Sequence, residues 1–423
     1  MANKITQTAC DAANGVMEWV NERAHGLMPF YRKHMSEYYA PKNFNIWYIF
    51  GILASVVLVN QIVTGIFLTM QFKPSAAEAF GSVEYIMRDV EWGWLIRYMH
   101  STGASLFFIV IYLHMFRGLM YGSYRKPREL VWLLGMVIYL VLMAEAFMGY
   151  VLPWGQMSFW GAKVIISLFG AIPVIGNGLT EWIMGDYLPS DATLNRFFAL
   201  HVIAVPLVLL LLVVLHLGAL HEVGSNNPDG VEIKKGPKGN RWSPTAPTDG
   251  VPFHPYYTVK DTFYVFAMMA IAAFIIFYAP AFGGWFLEHD NFTEANRLVT
   301  PAHIKPVWYY TPYYAMLRVI PNKLGGVMVM FGAIAILFAL PWLDRAKVKS
   351  YRYRGVMSKV LLLVFAFCFV YLGKIGAGPG TDPVETIIGR FLTGYYFLFF
   401  LTMPVWTKLD VTKQVPDRVT THD

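Results

Sequence analysis

The stretch Arg97–Arg117, RYMHSTGASLFFIVIYLHMFR, is an apolar run that carries His100 and His114 fourteen residues apart. At 3.6 residues per turn, fourteen residues make close to four whole turns, so the two imidazoles share one helix face about 21 Å apart along the axis. A second run, Arg196–Glu222, RFFALHVIAVPLVLLLLVVLHLGALHE, places His201 and His216 fifteen residues apart. That interval is about 22 Å of rise with a rotation of roughly 60° off the face, a misfit that tilt or local unwinding of the helix can absorb. Two such helices side by side would clamp metal centres at two depths.

The rest of the composition says what surrounds these helices. Of 423 residues, 56% are hydrophobic and only 14% charged, where soluble domains carry about a quarter charged residues. The chain is therefore read as an integral membrane protein. Its formal charge of +7 comes from 34 Lys and Arg against 27 Asp and Glu. The basic residues sit in short clusters beside apolar spans, which is the pattern of inward-facing membrane loops and argues against a nucleic-acid partner. Met1–Tyr39 mixes charges with Trp19, Phe30 and Tyr31, without the early apolar run of a signal peptide, and reads as an amphipathic segment on the membrane surface. The two cysteines, Cys10 and Cys368, form no CxxCH motif. Covalent haem, thiolate-bound zinc and iron–sulfur clusters are thereby excluded, and an intramembrane metal must rely mainly on histidine.

Apolar runs long enough to cross a bilayer fall at about 46–72, 94–121, 130–152, 197–221, 259–279, 324–341, 354–372 and 391–406, eight in all. Basic clusters follow every second run: Arg117, Arg125, Lys126 and Arg128; Lys234, Lys235, Lys238 and Arg241; Arg345, Lys347, Lys349, Arg352 and Arg354. The positive-inside tendency then puts these loops and both termini in the cytoplasm, or in the matrix of a mitochondrial source. Four regions follow: a surface segment over 1–45, a four-helix bundle with short outer helices over 46–222, a Gly- and Pro-rich cytoplasmic loop over 223–258, and a four-helix region over 259–423. Pro153–Leu188 and Phe282–Pro321 mix aromatic and apolar residues with Gly and Pro, as short helices roofing an outer pocket would.

A lone intramembrane histidine can be a packing residue, but four in two matched pairs point to ligation. Neutral imidazoles from two helices suit the two axial positions of haem and leave no open position, which favours electron transfer over oxygen chemistry. His100 pairs with His201 at the outer level and His114 with His216 at the inner level. Gly51 and Gly65 in the first span, and Gly135 and Gly149 in the third, repeat the fourteen-residue interval. Glycine admits the edge of a broad cofactor where a Cβ would obstruct it. Arg97, Arg117 and Arg196 lie near these histidines at the membrane boundary and could pair with haem propionates.

With GYVLPWGQMSFWGAKVI at 149–165, RFFALH at 196–201, LHEVGSNNP at 220–228, FHPYYTVKD at 253–261, PAHIKPVWYY at 301–310 and IPNKLGGV at 320–327, the chain resembles the cytochrome b family of respiratory cytochrome bc complexes (complex III, ubiquinol:cytochrome c oxidoreductases). The resemblance covers nearly the whole chain. It implies an all-α membrane protein of eight transmembrane helices, the first four forming a bundle around two stacked, non-covalent haems b, of low potential outside and high potential inside. It implies quinol oxidation at an outer site, electron transfer across the haems and quinone reduction at an inner site, with ubiquinone and ubiquinol as substrates and proton translocation as the result. The implied partners are a Rieske iron–sulfur subunit, a cytochrome c-type haem subunit, membrane lipids and a second copy of the complex. The inner site maps to His221 and Asp261, with Ser225, Asn226 and Lys260; the outer site maps to Phe147, Tyr150, Gly161, Pro306, Val307, Trp308, Tyr309 and Tyr314.

Two departures stand out. The family tetrad PEWY is Pro306-Val307-Trp308-Tyr309 here, and valine cannot accept the proton for which the family glutamate is held responsible. Glu145, one turn before Gly149 where the family has a small or neutral residue, is expected to accept it instead, assisted by Tyr314 and water. The second departure is the fifteen-residue histidine interval, with Pro206 inside it. The PVWY variant and the long central loop suggest a bacterial plasma membrane. A proton-coupled secondary transporter is the competing class, and it requires broken helices and an inverted repeat that the sequence does not display.

Overall fold

The computed structural model describes residues 2–26, 29, 38–233 and 249–420. The basic cluster Lys234, Lys235, Lys238 and Arg241, and Phe30 and Tyr31 of the leading segment, lie outside the described residues.

Helical hydrogen bonding inside the chain is the means by which an apolar segment satisfies its backbone in hydrocarbon. Among the described residues, eight helices long and apolar enough to span a membrane follow one another: α1 Ile46–Thr69, α2 Gly93–Tyr121, α3 Glu129–Val151, α4 Asp191–Val223, α5 Phe253–Tyr278, α6 Lys323–Leu343, α7 Val356–Ala377 and α8 Pro383–Leu401. The shortest, at 19 residues, is about 28 Å long, enough for a hydrocarbon layer of about 30 Å with its boundary residues. Before them, Ala2–Arg23 forms a helix of its own. α4 and α8 start well before the apolar run because their first turns are polar. Ser190 and Thr193 form a reciprocal capping box at the start of α4, and the Asp382 side chain accepts from Val384 N ahead of α8. The expected run to residue 406 is also broken. α8 stops at Leu401 and a short helix, Met403–Leu409, restarts with Pro404 in its first turn, the position where a missing N–H costs nothing.

α1 packs along α2 and α3 along α4, with α5 outside the first pair and α6 against α3. The connections α1–α2, α3–α4 and α5–α6 gather at one end, here called upper. Between α3 and α4 lie helices Gln156–Ser167 and Gly176–Met184. Between α5 and α6 a 3-10 turn, Trp308–Tyr310, leads into Thr311–Arg318, which packs on α7. Buried tyrosines tie this upper segment to the bundle. Tyr112 donates to Tyr309 O at 2.5 Å, the Tyr112 and Tyr139 hydroxyls lie 3.1 Å apart, and Phe108 stacks on Tyr309 at 3.8 Å.

The lower end is held by buried ions. Fully buried Asp229 accepts from Asn43, Arg352, Tyr353 and Thr420, joining four separate stretches of chain. Arg128 spans Gly224 O at 2.7 Å and Glu232 at 2.7 Å. Asp344 and Arg354 are both completely buried and paired at 2.5 Å, and Tyr124 donates to the same carboxylate at 2.6 Å. Burial pushes the Asp344 carboxyl up, but Arg354, Arg125 and the Tyr124 hydrogen bond outweigh it and hold the group below its ordinary range. Such a carboxyl contributes stability above its unfolded pKa, and that contribution is lost as pH falls towards the lower folded value. Removing one partner strands the other charge, whereas removing both does not. Asp344→Ala is therefore expected to destabilise the detergent-solubilised protein by about 3–5 kcal/mol. The pair Asp344→Leu with Arg354→Met should cost clearly less, the comparison being read from thermal unfolding of the two variants.

Candidate functional site

Helix α2 presents His100 and His114, and α4 presents His201 and His216. The fifteen-residue interval is absorbed by one wide turn: residues Leu200–Ala204, which include His201, are π-helical, and Val205 N bonds back to Leu200 O. A π-turn holds one residue more than an α-turn, so His216 returns to the phase that a fourteen-residue interval would produce. Pro206 follows at the start of the α-helical part of α4, where its missing N–H is tolerated.

The rings meet in twos. His100 and His201 have ring centres 6.3 Å apart, and His114 and His216 have centres 6.4 Å apart. Two imidazoles bonded to opposite sides of one metal at about 2 Å put their ring centres roughly 6 Å apart, and both pairs meet that spacing. Each expected glycine faces one of these rings. A Cβ at Gly51 would stand 3.6 Å from His114, at Gly65 3.3 Å from His100, at Gly135 3.3 Å from His216 and at Gly149 2.5 Å from His201. At the upper pair Nδ1 is engaged, by Thr64 Oγ1 at 2.9 Å for His100 and by Glu145 O at 3.0 Å for His201. That leaves Nε2 as the free nitrogen for a metal. Nδ1 of His114 is buried without a hydrogen-bond partner, and His216 faces main-chain Val131.

A cavity of about 450 Å³ opens at the upper pair, walled by Gly65, Arg97, Glu145, Gly149, Tyr150, Val307 and Tyr309 among mostly apolar side chains. Arg97 thus reaches the site. Arg117 is at the lower level, 4.9 Å over the Tyr48 ring, with its Nε buried and unpartnered. Arg196 is exposed and donates to Trp182 O among the upper short helices.

At the upper roof the two glutamates separate. Glu145 Oε1 lies 3.0 Å from His201 Nδ1, so its carboxylate is directed to the ligand. Glu288, from the α5–α6 connection, is buried at 7% exposure and accepts a hydrogen bond from Tyr150. Burial raises its carboxyl above the ordinary range against the pull of Tyr150 and Lys305, with Asp290 adding to the rise. Glu288 is not legible as a site residue in the sequence; its only signal is its place inside the roof-forming segment Phe282–Pro321. Phe147 packs on Phe197 instead of facing the cavity, and a Cβ at Gly161 would meet nothing within 4 Å. Half-buried Pro306 leads into the buried Val307, Trp308 Nε1 donates to Ser105 at 3.2 Å, and Tyr314 OH donates to Ile304 O at 3.3 Å. The Tyr314 hydroxyl thus closes its own loop.

At the lower end, His221 stacks on Tyr38 with ring centres 4.8 Å apart. The Tyr38 hydroxyl lies 3.4 Å from Ser225 Oγ, and Tyr38 is a neighbour that sequence patterns did not single out. Lys260 donates to Phe44 O at 2.8 Å and Asn226 to Tyr121 O at 2.7 Å, so these two brace the walls. Asp261 is half-buried in the first turn of the regular helix Thr258–Tyr278.

Such a constellation defines a polytopic helical membrane protein with two pairs of facing imidazoles at two depths of its bundle. Residues 35–224 match the family description cytochrome b/b6/petB, and residues 294–397 match cytochrome b (C-terminal)/b6/petD. The chain is 60% identical to a cytochrome b of Allochromatium vinosum over 96% of its own length and 98% of that protein. It is 48% identical to a cytochrome b of Rickettsia prowazekii, covering 96% and 97% of the two chains. A chain of a solved hyperthermophilic respiratory complex III superposes with a TM-score of 0.84 at 38% identity, covering 93% of this chain and 98% of that one. The chain belongs to the cytochrome b/b6 family, a family of electron-transport membrane proteins that bind haem b.

The π-turn makes a register test possible. Deleting Val202 is expected to convert the wide turn to α-helix and leave the haem-to-protein ratio unchanged. Inserting one alanine after Leu209 turns His216 by about 100°, and should lower that ratio to about half by loss of the lower centre. Quantitative haem extraction from the purified variants checks both outcomes.

Proposed function

We propose that this chain is the haem b-carrying, quinone-reacting core subunit of a ubiquinol:cytochrome c oxidoreductase in a bacterial plasma membrane. The observation that carries the reading is the facing of two imidazoles at each of two depths with ring centres 6.3 and 6.4 Å apart. His100 and His201 would hold an outer, low-potential haem, and His114 and His216 an inner, high-potential one. Gly51, Gly65, Gly135 and Gly149 keep the surroundings open, and the buried cations Arg97 and Arg117 are placed to meet propionates. When bound, the haems supply one-electron transfer between the two depths.

The protein's own groups handle the protons. At the outer site the quinol ring sits against Tyr309 and Val307, and its hydroxyl needs a base. Val307 has none, and the carboxylate of Glu145 is turned to His201. Glu288, hydrogen-bonded to Tyr150 and joined to the upper surface through Asp290, is the group that takes the proton and passes it outward. At the inner site His221 and Asp261 supply protons to quinone as it is reduced, with Tyr38 and Ser225 completing the wall beside His221. Basic loops and both termini lie inside, with the Ala2–Arg23 helix on the inner membrane surface. A Rieske iron–sulfur subunit and a cytochrome c-type haem subunit complete the electron path, because two separated cysteines cannot ligate either centre. The complex III description of the solved neighbour supports that assembly, in which two copies and bound lipids are expected.

As a base Glu288 must be ionised, so its contribution grows as pH rises through its raised folded value. Glu288→Gln is expected to lower quinol oxidation by about 10²-fold, to remove the acid-side limb of the pH profile and to leave the haem absorbance intact. Steady-state quinol:cytochrome c reductase assays on the whole complex check it; near-normal turnover with an unchanged pH profile would sink the assignment.

A further inference from the structure

The two imidazole pairs differ in what stands behind them. At the lower pair, Nδ1 of His114 is buried without a hydrogen-bond partner, and His216 faces main-chain Val131 with no carboxylate behind it. At the upper pair, His201 Nδ1 has two oxygens of one residue at 3.0 Å, the main-chain O of Glu145 and its carboxylate Oε1. The main-chain oxygen has the hydrogen-bond geometry and fixes Nδ1 as the protonated nitrogen. The carboxylate adds a negative charge beside the same N–H. The side chains of His201 and Glu145 are only 17% and 14% exposed, and Oε2 of Glu145 is buried with no partner. Little water is therefore present to screen that charge.

We propose that Glu145 is a positioning residue for His201 that lowers the upper centre's reduction potential. The proposal rests on haem ligation by the four histidines. A carboxylate at the far nitrogen of a ligating imidazole orients the ring and makes it a stronger donor to the metal. A fixed negative charge also favours the more positive, oxidised state of a nearby iron by direct Coulomb attraction. Both effects lower the potential, and neither acts at the lower pair. Arg97, on the wall of the same cavity, opposes them.

The test is a redox titration of the whole complex, following the absorbance of each b-type centre in the wild type, Glu145→Gln and Glu145→Thr. Gln keeps the side-chain shape without the charge; Thr removes the carboxylate with a short side chain, and both keep the main-chain acceptor. At the wild-type midpoint of the upper centre, the ratio of reduced to oxidised haem is expected to rise about tenfold in both variants, the scale of a hydrogen bond or close contact to a charged group. The lower centre should stay unmoved, and the low-temperature magnetic-resonance signal of the upper ferric haem should shift. An unmoved upper midpoint in either variant that retains both haems overturns the proposal. Absence of b-type absorbance in the wild type would instead overturn the ligation reading on which it stands.

Discussion

Everything at the centre of this protein depends on keeping two helices in phase over about four turns. An imidazole pair works as a pair only if both rings point into the same gap, and a helix turns each residue by about 100°. α2 meets the requirement with a regular helix. α4 carries one residue too many and meets it by widening a single turn around His201. Pro206 lies in the first turn of the α-helical segment that follows, so the helix recovers without losing a further hydrogen bond. Glycines on α1 and α3 answer the same constraint from the outside, because each is pressed against one of the four rings.

Around that frame, polar groups are distributed by what hydrocarbon permits. The lower end concentrates buried ions, with Asp229 collecting four partner residues and Asp344 neutralising a completely buried Arg354. These contacts join loops that are far apart in sequence, and they hold the helix ends that carry His114, His216 and His221. The upper end uses tyrosine hydroxyls instead, running from Tyr139 through Tyr112 to the main chain at Tyr309. The roof of the cavity is thereby fastened to the same helix that carries the upper ligand His100.

The two upper glutamates illustrate how similar groups acquire different work. Glu145 lies on a span, one turn before Gly149, and its carboxylate reaches a ligand ring. Glu288 lies in a connection 143 residues further on, and folding brings it under Tyr150 on that same span. The hydropathy pattern makes a carboxylate within a span conspicuous and one in a polar loop ordinary. Glu145 was therefore visible as a candidate, while Glu288, whose burial depends on the roof closing over it, was not. Tyr38 escaped notice for the same reason: nothing in its neighbourhood announces the stacking on His221, 183 residues away.

By itself, the sequence determined the eight spans, the two histidine helices and the depths of their ligands. Those properties follow from local periodicity and from the length of apolar chain that a bilayer demands. It also carried the glycine intervals and the signal that the fifteen-residue spacing needed local unwinding. The tertiary structure alone decided where that unwinding falls and that Arg196 turns to the surface. It alone decided that Tyr314 closes its own loop, and that one carboxylate meets the His201 imidazole while the other meets Tyr150. These are contacts between segments distant in the chain, and no periodicity within either segment encodes them; they exist only once packing has chosen which side chains share a buried space.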